Sequence, residues 1–204
     1  MMVLVEMSLR TSATPDEQRE AILEAAQSEF ERFGLRKSSV DDMAREAGVS
    51  RSTLYRRFPN KESLIIGVLS KIGGGLLERL EAATRSCDPE QAVVEAFCAA
   101  MDIVVSSPFL RTLALEGSVF LPHNAVVKMR RKLVDDMAIR IAKVLKKCGS
   151  TREFKDLLVV SETMVRLVLS HIETTSSFVN LENPDDARQF GERYLAPLVA
   201  EPTK

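Results

Sequence analysis

The chain has 204 residues, 45% hydrophobic and 5% aromatic, with 28 basic and 29 acidic side chains and a net charge of −1. That is enough apolar material for a packed core without covalent staples, and three cysteines (Cys87, Cys98, Cys148) outside any CxxC or Cys/His cluster argue against a disulfide framework and against a zinc site. No stretch approaches the ~20 uncharged apolar residues of a membrane-spanning helix, and MMVLVEMSLR lacks the basic lead and cleavage site of a signal peptide, so a soluble protein of the cytoplasm with no membrane partner is expected.

Residues 1–13 read as a disordered arm. Thr14-Pro15-Asp16-Glu17 then offers a threonine cap, proline at the first helical position and glutamate three residues on. The helix it opens is expected from about Pro15 to Phe33: Ile22, Leu23, Ala26, Phe30 and Phe33 recur at helical spacing, and Gly34 stands where a left-handed closing residue is wanted.

The segment Ser39–Phe58 meets the physical requirements of a helix-turn-helix. Ser39 and Asp42 form a capping pair for a short helix, whose buried face is Met43, Ala44 and Ala47, the alanines admitting a second helix closely. Gly48 makes the tight turn and Val49 plugs it. Ser50 caps the second helix, in which Leu54 and Phe58 lie four apart and pack inward, leaving Arg51, Ser52, Thr53, Tyr55, Arg56 and Arg57 outside. Pro59 and Asn60 end that helix and start the next.

Charge concentrates in the same place. From Arg36 to Lys61 there are seven basic residues against three acidic ones, a local excess that the balanced total conceals. Such a patch is the electrostatic footprint of nucleic-acid binding, although a merely solvated face remains the alternative on charge alone.

Beyond Asn60, Leu64, Ile65, Val68, Leu69, Ile72, Leu76, Leu77 and Leu80 predict a helix to about Arg85. Gly73-Gly74-Gly75 interrupts it, each glycine costing a helix about 0.5–1 kcal/mol relative to alanine, so a kink, a frayed turn or a close crossing is expected there. Further helices are expected at Pro89–Ser106, Phe109–Leu121, Asn124–Lys147, Arg152–Phe178 and Pro184–Val199, with cap signals at Asp88-Pro89, Ser150-Thr151-Arg152-Glu153 and Asn183-Pro184. No segment alternates as a strand does. The expected fold is all-α, with a helix-turn-helix domain at 14–70 sharing a helix with a larger helical domain at 71–204.

The second half carries no catalytic constellation. Its histidines, His123 and His171, belong to no nucleophile or metal motif, and no glycine-rich phosphate loop occurs, so neither an enzyme nor a bound cofactor or metal is indicated.

Residues Thr14 to about Leu69 resemble the DNA-binding domain of tetracycline-repressor-family regulators. The resemblance rests on Phe-Glu-Arg-Phe-Gly closing the first helix, then Ser-Val-Asp-Asp-Met-Ala-Arg-Glu-Ala-Gly-Val-Ser, Thr-Leu-Tyr-Arg-Arg-Phe and Asn-Lys-Glu-Ser-Leu in order and spacing. It implies a recognition helix in the major groove of double-stranded DNA. Arg51 would read guanine, Ser52 and Thr53 would read or position, and Ser39, Tyr55, Arg56 and Lys61 would hold phosphates, with Arg57 open to either role. Arg10 in the leading arm is a candidate for the minor groove.

The same resemblance implies a homodimer formed through the last two helices, a palindromic operator, and a small-molecule effector that relieves repression. Phe97, Met101 and Phe120 are pocket candidates under that reading, and plain core under the alternative; few aromatics and no clustered charge suggest a largely apolar effector. A competing function is a small-molecule-binding or protein-interaction module that has lost DNA binding.

Overall fold

The computed structural model describes residues 14–84 and 87–200. The proposed arm at 1–13, with Arg10, lies outside them. The described residues form helices and contain no strand, so the fold is all-α. In chain order they are α1 (Pro15–Lys37), α2 (Val40–Glu46), α3 (Arg51–Arg57), α4 (Lys61–Ala83), α5 (Pro89–Ser106), α6 (Pro108–Phe120), α7 (His123–Lys147), α8 (Phe154–Glu173) and α9 (Pro184–Phe190). A π-helical turn, Gly191–Leu195, joins α9 to the short α10 (Ala196–Val199).

The cap chemistry sets most of the starts. Thr14 and Glu17 form a reciprocal capping box, and Asp88 and Asn183 each accept from the first turns of α5 and α9. At Ser150 the expectation fails: α8 starts at Phe154 with no side-chain cap. The Arg152 side chain is drawn instead into a two-nitrogen hydrogen bond with the Ala200 carbonyl (3.0 and 2.6 Å), a tertiary contact. Two other boundaries also differ. α8 ends at Glu173, short of Phe178, and the last helix widens at Gly191, close against Val94, where Pro197 cannot donate to the helical ladder.

Two hydrophobic cores result. The first packs Ile22, Leu23 and Phe30 of α1 with Met43, Leu54, Leu64, Ile65 and Val68, and it receives Phe109 and Leu121 from the two ends of α6. The second gathers α5, α7, α8 and the C-terminal helices. α4 enters both, and Lys71 ties it to α1 through ion pairs with Glu20 and Glu24 (2.6 and 3.2 Å).

At Gly34 the chain turns with φ 78°, ψ 170°, breaking α1 and setting Leu35 into the first core while leaving Phe33 about half exposed, under the Arg32 guanidinium. The glycine triplet behaves otherwise than expected. α4 runs unbroken through Gly73–Gly75, and side chains at 74 and 75 would meet nothing within 4 Å, so no close crossing occurs there. Packing of α4 at both ends holds the helix where its own propensity is weak.

Two opposite effects follow for thermal unfolding. Gly34→Ala should destabilise by about 1–2 kcal/mol or more, from the left-handed backbone alone. Gly74→Ala and Gly75→Ala should each stabilise by about 0.5–1 kcal/mol, because helix propensity is gained in open space.

Candidate nucleic-acid interface

The helix-turn-helix assembles from the caps inward. The Ser39 hydroxyl accepts from the Asp42 N–H (3.2 Å) and opens α2, and Met43, Ala44 and Ala47 face the core. Gly48, at φ 65°, reverses the chain, and the Val49 N–H returns to the Ala44 carbonyl (3.0 Å). Ser50 caps α3 through the Thr53 N–H (3.1 Å). Leu54 and Phe58 point inward, so Arg51, Ser52, Tyr55 and Arg56 share the outward side of α3.

The expected contact residues divide into two sets. Arg51 is exposed and ion-paired with Asp41, its Nη1 donating to Oδ2 at 3.2 Å and its Nε 3.1 Å from Oδ1, with its guanidinium 5.6 Å from the Tyr55 ring centre. Ser52 and Thr53 hydroxyls each lie 2.9 Å from the Ser50 hydroxyl. Arg56 is exposed and makes no hydrogen bond or ion pair among the described residues. Ser39 is half-buried at the start of α2.

Arg57 and Lys61 turn inward. Arg57 donates to the Gln18 side chain of α1 (2.8 Å), and its Nε is buried. The Lys61 ammonium donates to the carbonyls of Leu35 and Arg36 (2.9 and 3.4 Å) and lies 5.3 Å from the Phe120 ring centre. Burial pulls its pKa below the ordinary lysine value, while Glu29 and Glu116 oppose the shift.

Three carboxylates that sequence reasoning passed over organise this surface. Glu29, only 3% exposed, accepts the Ser39 N–H (2.9 Å) and fixes where α2 begins. Asp41 orients Arg51. Glu116, on α6, accepts the N–H groups of Leu35 and Arg36 (2.8 and 3.3 Å) just after the Gly34 turn, where a side chain at 34 would collide with it. No local periodicity marks a pair 81 residues apart, and only the demand for a glycine at 34 hints at it.

The three pocket candidates separate as well. Phe97 and Met101 are fully packed in the second core, Phe97 stacked on Phe190 with ring centres 5.5 Å apart. Phe120 sits beside Lys61 at the junction of the cores. A cavity of about 90 Å³ opens instead along the face of α5 formed by Ala96, Ala100, Ile103 and Val104.

Comparison with known proteins is consistent with this geometry. The model of the tetR family of bacterial regulatory proteins matches residues 22–68. The HTH-type transcriptional regulator EthR of Mycolicibacterium smegmatis is 35% identical over 88 residues, 41% of each chain. RutR of Escherichia coli K12 is 34% identical over 91 residues, 45% of this chain and 43% of its own. The chain thus matches less than half the length of these relatives. Over nearly its full length it shares the fold of a transcriptional regulator from Pseudomonas aeruginosa PAO1, with TM-score 0.62, 18% identity, and 92% and 93% of the two chains covered.

The inward and outward cations should separate in unfolding experiments. Lys61→Ala, which strips a donor from two carbonyls, should cost about 1–2 kcal/mol. Arg56→Ala should stay within about 0.5 kcal/mol of the parent protein, as exposed substitutions do.

Proposed function

Because the chain belongs, through residues 22–68, to the tetR family of bacterial regulatory proteins, we propose that it is a homodimeric transcriptional repressor that reads a palindromic operator and releases it when a small molecule binds. The observation that carries the DNA reading is the outward side of α3. Arg51 is exposed and its Nη1 is held by Asp41, so on giving up that partner its guanidinium can pair with guanine O6 and N7. Arg56, Tyr55 and Ser52 flank it, with Arg36 and Lys37 also exposed on the same domain. These are the phosphate-binding residue types. Arg57 and Lys61 act from inside, holding α1 against α3 and α4.

Ligand response is supported by the position of α6. Its residues Leu113 and Gly117 line an apolar recess of the second domain, while Glu116 of the same helix grips the backbone after Gly34. A molecule that displaces α6 therefore moves a hydrogen-bond acceptor of the reading domain. The affinity change cannot exceed the molecule's preference for the displaced state. Dimerisation is supported by apolar side chains left outward on the last helices, Val159 of α8 with Tyr194 and Leu198 near the C-terminus. Two-fold pairing would set two recognition helices on half-sites about 34–36 Å apart or a multiple of it.

Selection of the purified protein on a randomised duplex library, at two salt concentrations, tests this. A palindromic consensus is expected, with affinity falling steeply with salt. Arg51→Ala should lose about 1–3 kcal/mol and relax one position of each half-site, whereas Arg56→Ala should weaken all sequences alike and lower the salt slope by about one. Retained DNA without a consensus at either salt would overturn the reading.

A further inference from the structure

We propose that Cys87 and Cys148 form a redox modification site, at which a hydroperoxide oxidises the two thiols to an intramolecular disulfide tying the corner between α4 and α5 to the end of α7. The fold brings these residues together although α5, α6 and α7 lie between them in the chain. The Cys148 thiol donates to the Thr84 carbonyl (3.5 Å), and the Cys87 N–H donates to the same oxygen (3.3 Å). The sulfur of one cysteine and the backbone nitrogen of the other thus stand within hydrogen-bonding reach of a single atom. A disulfide joins Cα atoms about 4.4–6.8 Å apart, the scale of two such contacts.

Both residues stand where the backbone can adjust. Cys87 follows the Thr84 turn and precedes Asp88, the cap of α5. Cys148 closes α7 and is followed by Gly149, whose φ of 94° turns the chain. Helix ends open more readily than helix interiors, and the strict geometry of a disulfide makes that freedom useful. Both side chains are half-buried thiols at the margin of the second core, so a small oxidant reaches them. Cys98 is the internal control. It is also half-buried, but it lies in the middle of α5, where burial raises its pKa and the charged groups beside it are Arg188, Glu95 and Glu192 rather than another thiol.

The order of events follows from the surroundings. Thiolate is the attacking form. Burial pushes the Cys148 thiol above its ordinary pKa, Cys87 and Asp88 add to the shift, and the hydrogen bond to Thr84 opposes it. Cys148 therefore acts second. The Cys87 thiolate attacks one peroxide oxygen, the O–O bond breaks, and hydroxide leaves with the proton that Cys87 gave up, as water. The Cys148 sulfur then attacks the resulting Cys87 sulfenic acid, an S–S bond forms, and a second water departs carrying the Cys148 proton. Two thiols lose two electrons to one hydrogen peroxide, which becomes two waters. A dithiol reverses the reaction, so the bond is a state of the chain and not a staple on which folding depends. It would join the far end of α4, the helix that enters both cores, to the end of α7.

Treatment of the reduced full chain with hydrogen peroxide, followed by alkylation and non-reducing peptide mapping, tests the assignment. Titratable thiols should fall from three to one, a Cys87–Cys148 linked peptide should appear, and Cys98 should carry the alkyl group. Dithiothreitol should restore all three thiols. Cys98→Ser should form the bond as the parent does, whereas Cys87→Ser and Cys148→Ser should each abolish the linked peptide. Dimedone, which captures sulfenic acid, should label Cys87 in the Cys148→Ser chain and leave Cys148 unlabelled in the Cys87→Ser chain. Circular dichroism of the reduced variants checks that each is folded, and the parent and Cys98→Ser chains decide the matter where a variant is not. Three thiols surviving excess peroxide, a disulfide that includes Cys98 or joins two chains, or sulfinic acid at Cys87 without the linked peptide would each overturn the proposal.

Discussion

The hydrogen-bonded junction after Gly34 is the constraint on which the two halves of this molecule depend. One carboxylate, Glu116, accepts two backbone N–H groups from one side, and one ammonium, Lys61, donates to the carbonyls of the same two residues from the other. Leu35 and Arg36 are thereby satisfied as donors and as acceptors by side chains of α6 and α4. Only glycine fits the turn that brings them there, because the backbone is left-handed and the carboxylate occupies the space of a Cβ. An apolar contact in that position would supply cohesion without direction. Charge-assisted bonds to fixed backbone groups specify an orientation as well.

Around that junction the division of labour among charged residues becomes intelligible. The basic patch counted along the sequence is not a uniform surface. Lys61 and Arg57 are structural cations that tie helices together, Arg45 is paired with Asp42 (2.5 Å), and Arg51 is aligned by Asp41. Exposed ion pairs of this kind contribute little to stability, about 0–1 kcal/mol. Their value here is geometric: side chains with many rotamers are restricted before any partner arrives.

Much of the fold was legible because it is written in short-range chemistry. Thr14, Asp88 and Asn183 announced their helices by caps, Pro89–Ser106 was found to the residue, and Gly48 and Leu54 stood where a helix-turn-helix needs them. The departures share a cause. Ser150 looked like a cap until Arg152 was claimed by Ala200, and Phe97 and Met101 looked like pocket residues although the cavity opens on the face of α5 that carries Ala96 and Ala100. Which face of a buried helix borders empty space depends on neighbouring side-chain volumes, and a pattern along one helix does not contain them. The inward turn of Lys61 and the role of Glu116 were hidden for the same reason, since their partners are 26 and 81 residues distant.

The pairing of Arg51 with Asp41 carries a consequence for discrimination. A carboxylate presents two acceptor oxygens to a guanidinium, which is also what guanine presents through O6 and N7. Under the function proposed for Arg51, the free protein would keep an imitation of the base edge in contact with the residue that reads it. Any base edge must compete with that internal acceptor. An edge with two well-placed acceptors exchanges like for like, whereas one bearing a donor or a methyl group offers nothing for the bonds surrendered. On that reading the carboxylate would set a threshold for any base edge, and selectivity would arise partly from what the unbound protein already holds.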